Sequence, residues 1–204
     1  MSHPMTARTA AHVIAVSDEV ARNAAVILEH VVRLRKSQSG QSPHPDAEIQ
    51  NAVEFVLLTM HDSAVLLSDL VRHTGTLRSN LYARLLQLTV HESAKTLRTV
   101  LGRDFRARMV EVVGGDDSDA VLRTAHSAVT AIFRDSESQF GGLRDAVGAH
   151  RDREAQVRSG HIESVSEEDV AILAERLGLA MHPLLQIFHL YIESVFTEAR
   201  PATT

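Results

Sequence analysis

The feature that most constrains this chain is a period. Between about residues 46 and 72, Ile49, Val53, Val56, Leu57, Met60, Ala64, Leu67 and Val71 recur at three- and four-residue steps. That spacing lines them along one broad face of an α-helix. The same rhythm runs through residues 6–35, carried by Val13, Val20, Ala24, Ile27, Val31 and Leu34. It returns over 79–112, on Leu81, Leu85, Leu88, Ser93, Leu97 and Leu101, with a possible split near Gly102. No segment sustains the apolar–polar alternation of a half-buried strand, and the Asn-Gly pair that favours hairpins is absent. The chain is therefore expected to be all-α.

Turn-forming residues divide the pattern into elements. Residues 36–46 form a polar linker rich in Ser and Pro, with Pro45 suited to a first helical turn. Thr74-Gly75 and Gly114-Gly115 are breaks. Asp116, Asp117 and Asp119 then supply an acidic first turn for a helix expected to reach about Phe140, with Val121, Ala125, Val129, Ile132 and Phe133 inward. Ser166-Glu167-Glu168-Asp169 has the form of a capping box ahead of Val170, Ile172 and Leu173. His182-Pro183 interrupts the helix. Residues 184–199 are apolar nearly all round, the character of a helix buried in a core or in a subunit interface.

The 204 residues suffice for a single all-helical domain. Within it, 5–35 is an added arm or packing helix and 47–200 a bundle of four to five main helices. There is no Cys, which excludes disulfides and thiolate metal sites, and no Trp. The net charge is −5, so any contact with nucleic acid must be local. The basic stretch 72–108 carries eight cations against Glu92 and Asp104. It is either a phosphate-tracking surface or a helix face paired with the acidic remainder. No signal peptide and no run of 18 apolar residues is evident, so a cytoplasmic protein without a membrane partner is expected. Twelve histidines invite a metal, yet no Glu lies three residues before a His, and the His-Glu-x-x-His pattern is missing. No metal or other cofactor is expected.

Chemistry concentrates in Gly141-Gly142-Leu143-Arg144-Asp145-Ala146-Val147-Gly148-Ala149-His150-Arg151-Asp152. Arginine offers a permanent planar cation for phosphate oxygens, and histidine moves a proton near neutral pH. Two other Arg–His pairs have similar spacing, Arg84 with His91 and Arg176 with His182. In both, Leu follows the Arg directly, inside an apolar helical pattern. Only Arg144 is followed by a polar residue, Asp145, and flanked by glycines and further charge.

This segment resembles the signature of the HEPN superfamily, an Arg and a polar residue followed a few positions later by a His. The ending Ala149-His150-Arg151-Asp152 is similar to that of the abortive-infection-type branch. The resemblance extends loosely over 45–200. It implies a helical bundle that forms a homodimer with two motifs facing one cleft, and metal-independent RNA cleavage. Arg144, His150 and Asp145 would then be catalytic, with Arg151 and Arg153 as RNA contacts. An antitoxin or another defence-system protein would be a partner. The competing expectations are a non-catalytic helical dimer serving as an interaction module and a small-ligand-binding regulator. In the first of these, Arg144 and Asp145 make surface ion pairs and His150 caps a helix.

Overall fold

The computed structural model describes residues 7–38, 47–148 and 166–198. All regular structure among them is helical. In chain order the helices are α1 (Ala7–Gln38), α2 (Ala47–Arg72), α3 (Leu77–Val100), α4 (Arg103–Val113), α5 (Asp116–Gly148), α6 (Glu167–Met181) and α7 (Leu184–Glu198).

Helices α1 and α2 form an antiparallel hairpin. Ala21, Ala24 and Val31 are buried along α1, with Ile27 and Leu28 partly buried. Polar contacts fix the register at both ends. Asp18 accepts from Ser68 Oγ at 2.8 Å and from Arg72 at 2.6 Å, and Arg35 reaches Glu54 at 3.1 Å. The extra N-terminal helix expected from the sequence is thus a packing helix laid on α2.

Helix α2 buries a broad face that includes Ile49, Val53, Val56, Leu57 and Met60. Against it lies α3, joined by a contact between Thr59 and Ser93 hydroxyls at 3.4 Å. Helix α3 starts where the Thr76 side chain accepts from the Arg78 amide, a hydroxyl N-cap. The split foreseen near Gly102 is real. A Cβ at Gly102 would stand 2.8 Å from the Thr99 carbonyl oxygen, so only glycine lets the chain turn there into α4. Gly114 and Gly115, with φ of 77° and 88°, make the next turn in a region that side-chain-bearing residues rarely adopt.

The face that α3 buries differs from the sequence expectation. Leu97 and Leu101 are inward as expected, but Leu81, Leu85 and Leu88 are 47%, 42% and 52% exposed. The buried row is Ser79, Ala83, Leu86, Val90, Ala94, Leu97 and Leu101. Leucines occupy two faces of this helix, and periodicity alone does not say which one meets the core.

Helix α6 opens with the expected cap, Ser166 Oγ accepting from the Asp169 amide at 3.2 Å. Glu167 is tied to α3 by a hydrogen bond from Ser79 Oγ. After the break at His182-Pro183, α7 buries Leu184, Ile187, Phe188 and Tyr191 and leaves Leu190 exposed. By length and composition 167–194 is apolar enough to cross a membrane. Here its apolar residues complete the core, which gathers side chains from every helix from α1 to α7.

Candidate functional site

The sequence motif falls at the end of α5. The helix was expected to stop near Phe140, with the motif after it. Instead it continues through Gly141 and Gly142 to Gly148, so Arg144 and Asp145 stand on helical backbone. Two glycines cost about 1 kcal/mol each in a helix interior. That is a penalty, not a stop, and the intervening Leu143, Arg144 and Ala146 favour helix. The side chains of Arg144 and Asp145, and the whole of His150, Arg151 and Arg153, lie outside the described residues.

The two other Arg–His pairs are described, and in each at least one member is engaged elsewhere. His91 is 3% exposed, and its Nδ1 lies 3.1 Å from Ser136 Oγ on α5. Arg176 pairs with Asp135 across α6 and α5 at 2.7 Å, while His182 caps the end of α6. Neither pair is arranged to share a phosphate.

The contact between His91 and Ser136 invites a hydrolase reading, since a serine beside an imidazole is the start of a nucleophilic site. Burial argues against it. Ser136 is fully buried, and its hydroxyl donates back to the Phe133 carbonyl at 2.8 Å. The Phe133 ring lies 5.5 Å from the His91 ring, with the Arg98 guanidinium carbon 4.3 Å above its centroid. A nucleophile needs a path for substrate, and this one is sealed by packing. The cluster reads as a polar joint between α3 and α5.

Three further described histidines have partners. His61 Nδ1 and Asp62 form a surface pair at 2.9 Å. His73 Nδ1 lies 2.8 Å from the Asp69 carbonyl, and its ring stands 5.3 Å from that of Tyr82. His126 Nε2 lies 3.1 Å from the Arg98 carbonyl on α3. Among the described residues no three His, Asp or Glu side chains are grouped to hold a metal ion.

The basic stretch 72–108 divides in two. Arg72 is held by Asp18 and Asp69, Arg108 by Glu48 at 2.6 Å, Lys95 by Glu92 at 4.0 Å, and Arg98 covers the Phe133 ring. Arg78, Arg84, Arg103 and Arg106 make no ion pair among the described residues. The paired half supports helix-surface neutralisation over a continuous phosphate track. Shallow grooves of about 430 and 520 Å³ lie against α2, the first floored by Ile49, Ala52 and Phe55, the second beside His61 and Asp62.

No family model, no curated protein and no solved structure matches this chain.

Proposed function

We propose that this chain is a HEPN-like helical bundle that cleaves RNA without a metal, using Arg144 and His150. The observation that supports this reading is the continuity of α5 to Gly148, which puts Arg144 and Asp145 on the last turns of a helix that leads directly to His150 in sequence. The engagement of Arg176 with Asp135 and of His91 with Ser136 argues against the two other Arg–His pairs as phosphate sites.

In the proposed reaction the RNA 2′-hydroxyl attacks the neighbouring phosphorus while His150 removes its proton. The bond to the 5′-oxygen breaks, and that oxygen takes up a proton as it leaves. Arg144 holds the phosphate and the charge that grows on its oxygens, and Asp145 orients Arg144 or His150. Arg151 and Arg153 contact flanking phosphates. The products are a 2′,3′-cyclic phosphate and a 5′-hydroxyl. In this reading two copies face their motifs across one cleft, and an antitoxin or defence-system partner restrains them.

Expression in bacteria tests this. Wild type should arrest growth and fragment RNA, and Arg144→Ala and His150→Ala, folded by circular dichroism, should do neither. Equal behaviour of all three proteins removes the catalytic reading. Fragments lacking a cyclic phosphate, or cleavage that requires a divalent ion, remove this mechanism.

A non-catalytic interaction module is the second reading. The exposure of Leu81, Leu85 and Leu88 favours it, since a soluble surface seldom leaves three leucines in one row without use.

A further inference from the structure

Arg84 is a partly buried cation with which no described carboxylate pairs. It does not serve His91, whose Nδ1 is taken up with Ser136. The other cations on this side of α3 each have a described contact: Arg98 lies over the Phe133 ring, and Lys95 is beside Glu92. What Arg84 faces follows from the packing of α3 on α5.

The two helices run antiparallel, since His91 meets Ser136 while the Arg98 carbonyl, further along α3, meets His126, further back on α5. Arg84 precedes His91 by two turns and so stands on nearly the same flank of α3. The contact between His91 and Ser136 sets it level with about residue 143 of α5, and the contact between Arg98 and His126 with about residue 140. Arg144 is within about one turn of both. It follows His126 by about five whole turns and Phe133 by about three, which puts its position on the flank of α5 that those two residues turn to α3. Positions 84 and 144 are therefore opposite one another on adjacent helices. The carboxylates of this part of α5 are not placed between them. Asp145 stands about 100° further round the helix, and Glu137 is level with about residue 90, more than a turn from Arg84. Two arginines set opposite one another repel unless an anion is shared between them.

We propose that Arg84 is a further RNA contact of the site, holding the phosphate next to the one held by Arg144. This rests on the reading of Arg144 as a phosphate ligand. An arginine in a helix leans toward the helix N-terminus, and for Arg84 that is the end of the bundle at which α5 leads on to His150 in sequence. The neighbouring phosphate carries the same charge before and during reaction. Arg84 therefore strengthens substrate binding without favouring the transition state over it.

Fluorescence anisotropy with a labelled 2′-O-methyl RNA strand, which lacks the attacking hydroxyl and is not cut, reads the contact. Arg84→Gln should weaken binding about tenfold. It should also reduce the slope of log affinity against log salt by about 0.7, one phosphate contact on a single strand. Arg84→Lys should keep the slope. Arg78→Gln, at an exposed arginine on another face of α3, should leave affinity and slope unchanged. With cleavable RNA, Arg84→Gln should raise KM at unchanged kcat. Wild-type affinity and slope for Arg84→Gln, beside cleavage that Arg144→Ala abolishes, overturn this inference alone. An equal loss in Arg78→Gln overturns it in favour of diffuse charge. Absence of binding by wild type overturns it together with the ribonuclease reading. The placement has its own check, because the chain has no native cysteine. A short bismaleimide should bridge Arg84→Cys and Arg144→Cys within one chain, and failure to do so overturns the shared site.

Discussion

His91 shows how a single residue can carry an active-site look and a structural role. Its spacing from Arg84 is similar to that of the motif, and the periodicity around it, read on Leu81, Leu85 and Leu88, did not single it out as buried. The structure supplies the partner that no local pattern could reveal, because Ser136 lies 45 residues away on another helix. Removing that partner leaves a buried ring nitrogen without its hydrogen bond. Ser136→Ala should therefore cost about 1–3 kcal/mol, read as a fall in the urea midpoint at unchanged m-value. No change would mean that the contact between His91 and Ser136 is not a joint. Asp18 is the counterpart at the surface: it accepts from both Ser68 and Arg72, yet nothing about its sequence neighbourhood singles it out.

At the scale of elements, boundaries were legible where chemistry marks them and obscure where only propensity speaks. Ser166 as a cap, the turn at Gly114-Gly115 and the break at His182-Pro183 were readable because each rests on a specific backbone requirement. The end of α5 was misplaced because Gly141 and Gly142 look like a stop, although glycine only weakens a helix. This gives a direct check. If those residues are helical, Gly141→Ala and Gly142→Ala should each stabilise the protein by about 0.5–1 kcal/mol, visible as a higher Tm. Destabilisation would show that the helix does not pass through them. Helix α3 illustrates a different limit. Its two leucine rows are equivalent to any periodicity, and only the neighbouring helices decide that Leu86 and Leu97 go inward while Leu81, Leu85 and Leu88 stay out.

For the whole molecule, the all-helical class was legible from periodicity and the lack of strand alternation, and the long N-terminal helix was foreseen. How the helices assemble was not, since contacts such as Ser79 with Glu167 and Arg108 with Glu48 join residues far apart in the chain. The candidate site was legible only as a motif, because Arg144 and His150 are near one another in sequence whatever the tertiary packing. The core offers a sharper contrast on one helix. Phe188 is fully buried in α7, and Phe188→Ala should cost about 3–5 kcal/mol in denaturant unfolding. Leu190→Ala, two residues on and 49% exposed, should stay within about 0.5 kcal/mol. Comparable losses at both positions would contradict the placement of α7.

The position of that helix in the chain bears on synthesis. Val170, Leu173, Leu177, Met181, Phe188 and Tyr191 close the core, and they come from the last two described helices. A ribosome delivers them after the other described helices. The hairpin of α1 and α2 forms from neighbours and can settle early, but a nascent chain paused before residue 167 presents the apolar sides of α2, α3 and α5 to water or to a chaperone. Commitment to the native state therefore waits for α6 and α7, and a premature stop in α6 yields a chain bound for proteolysis rather than a smaller working protein.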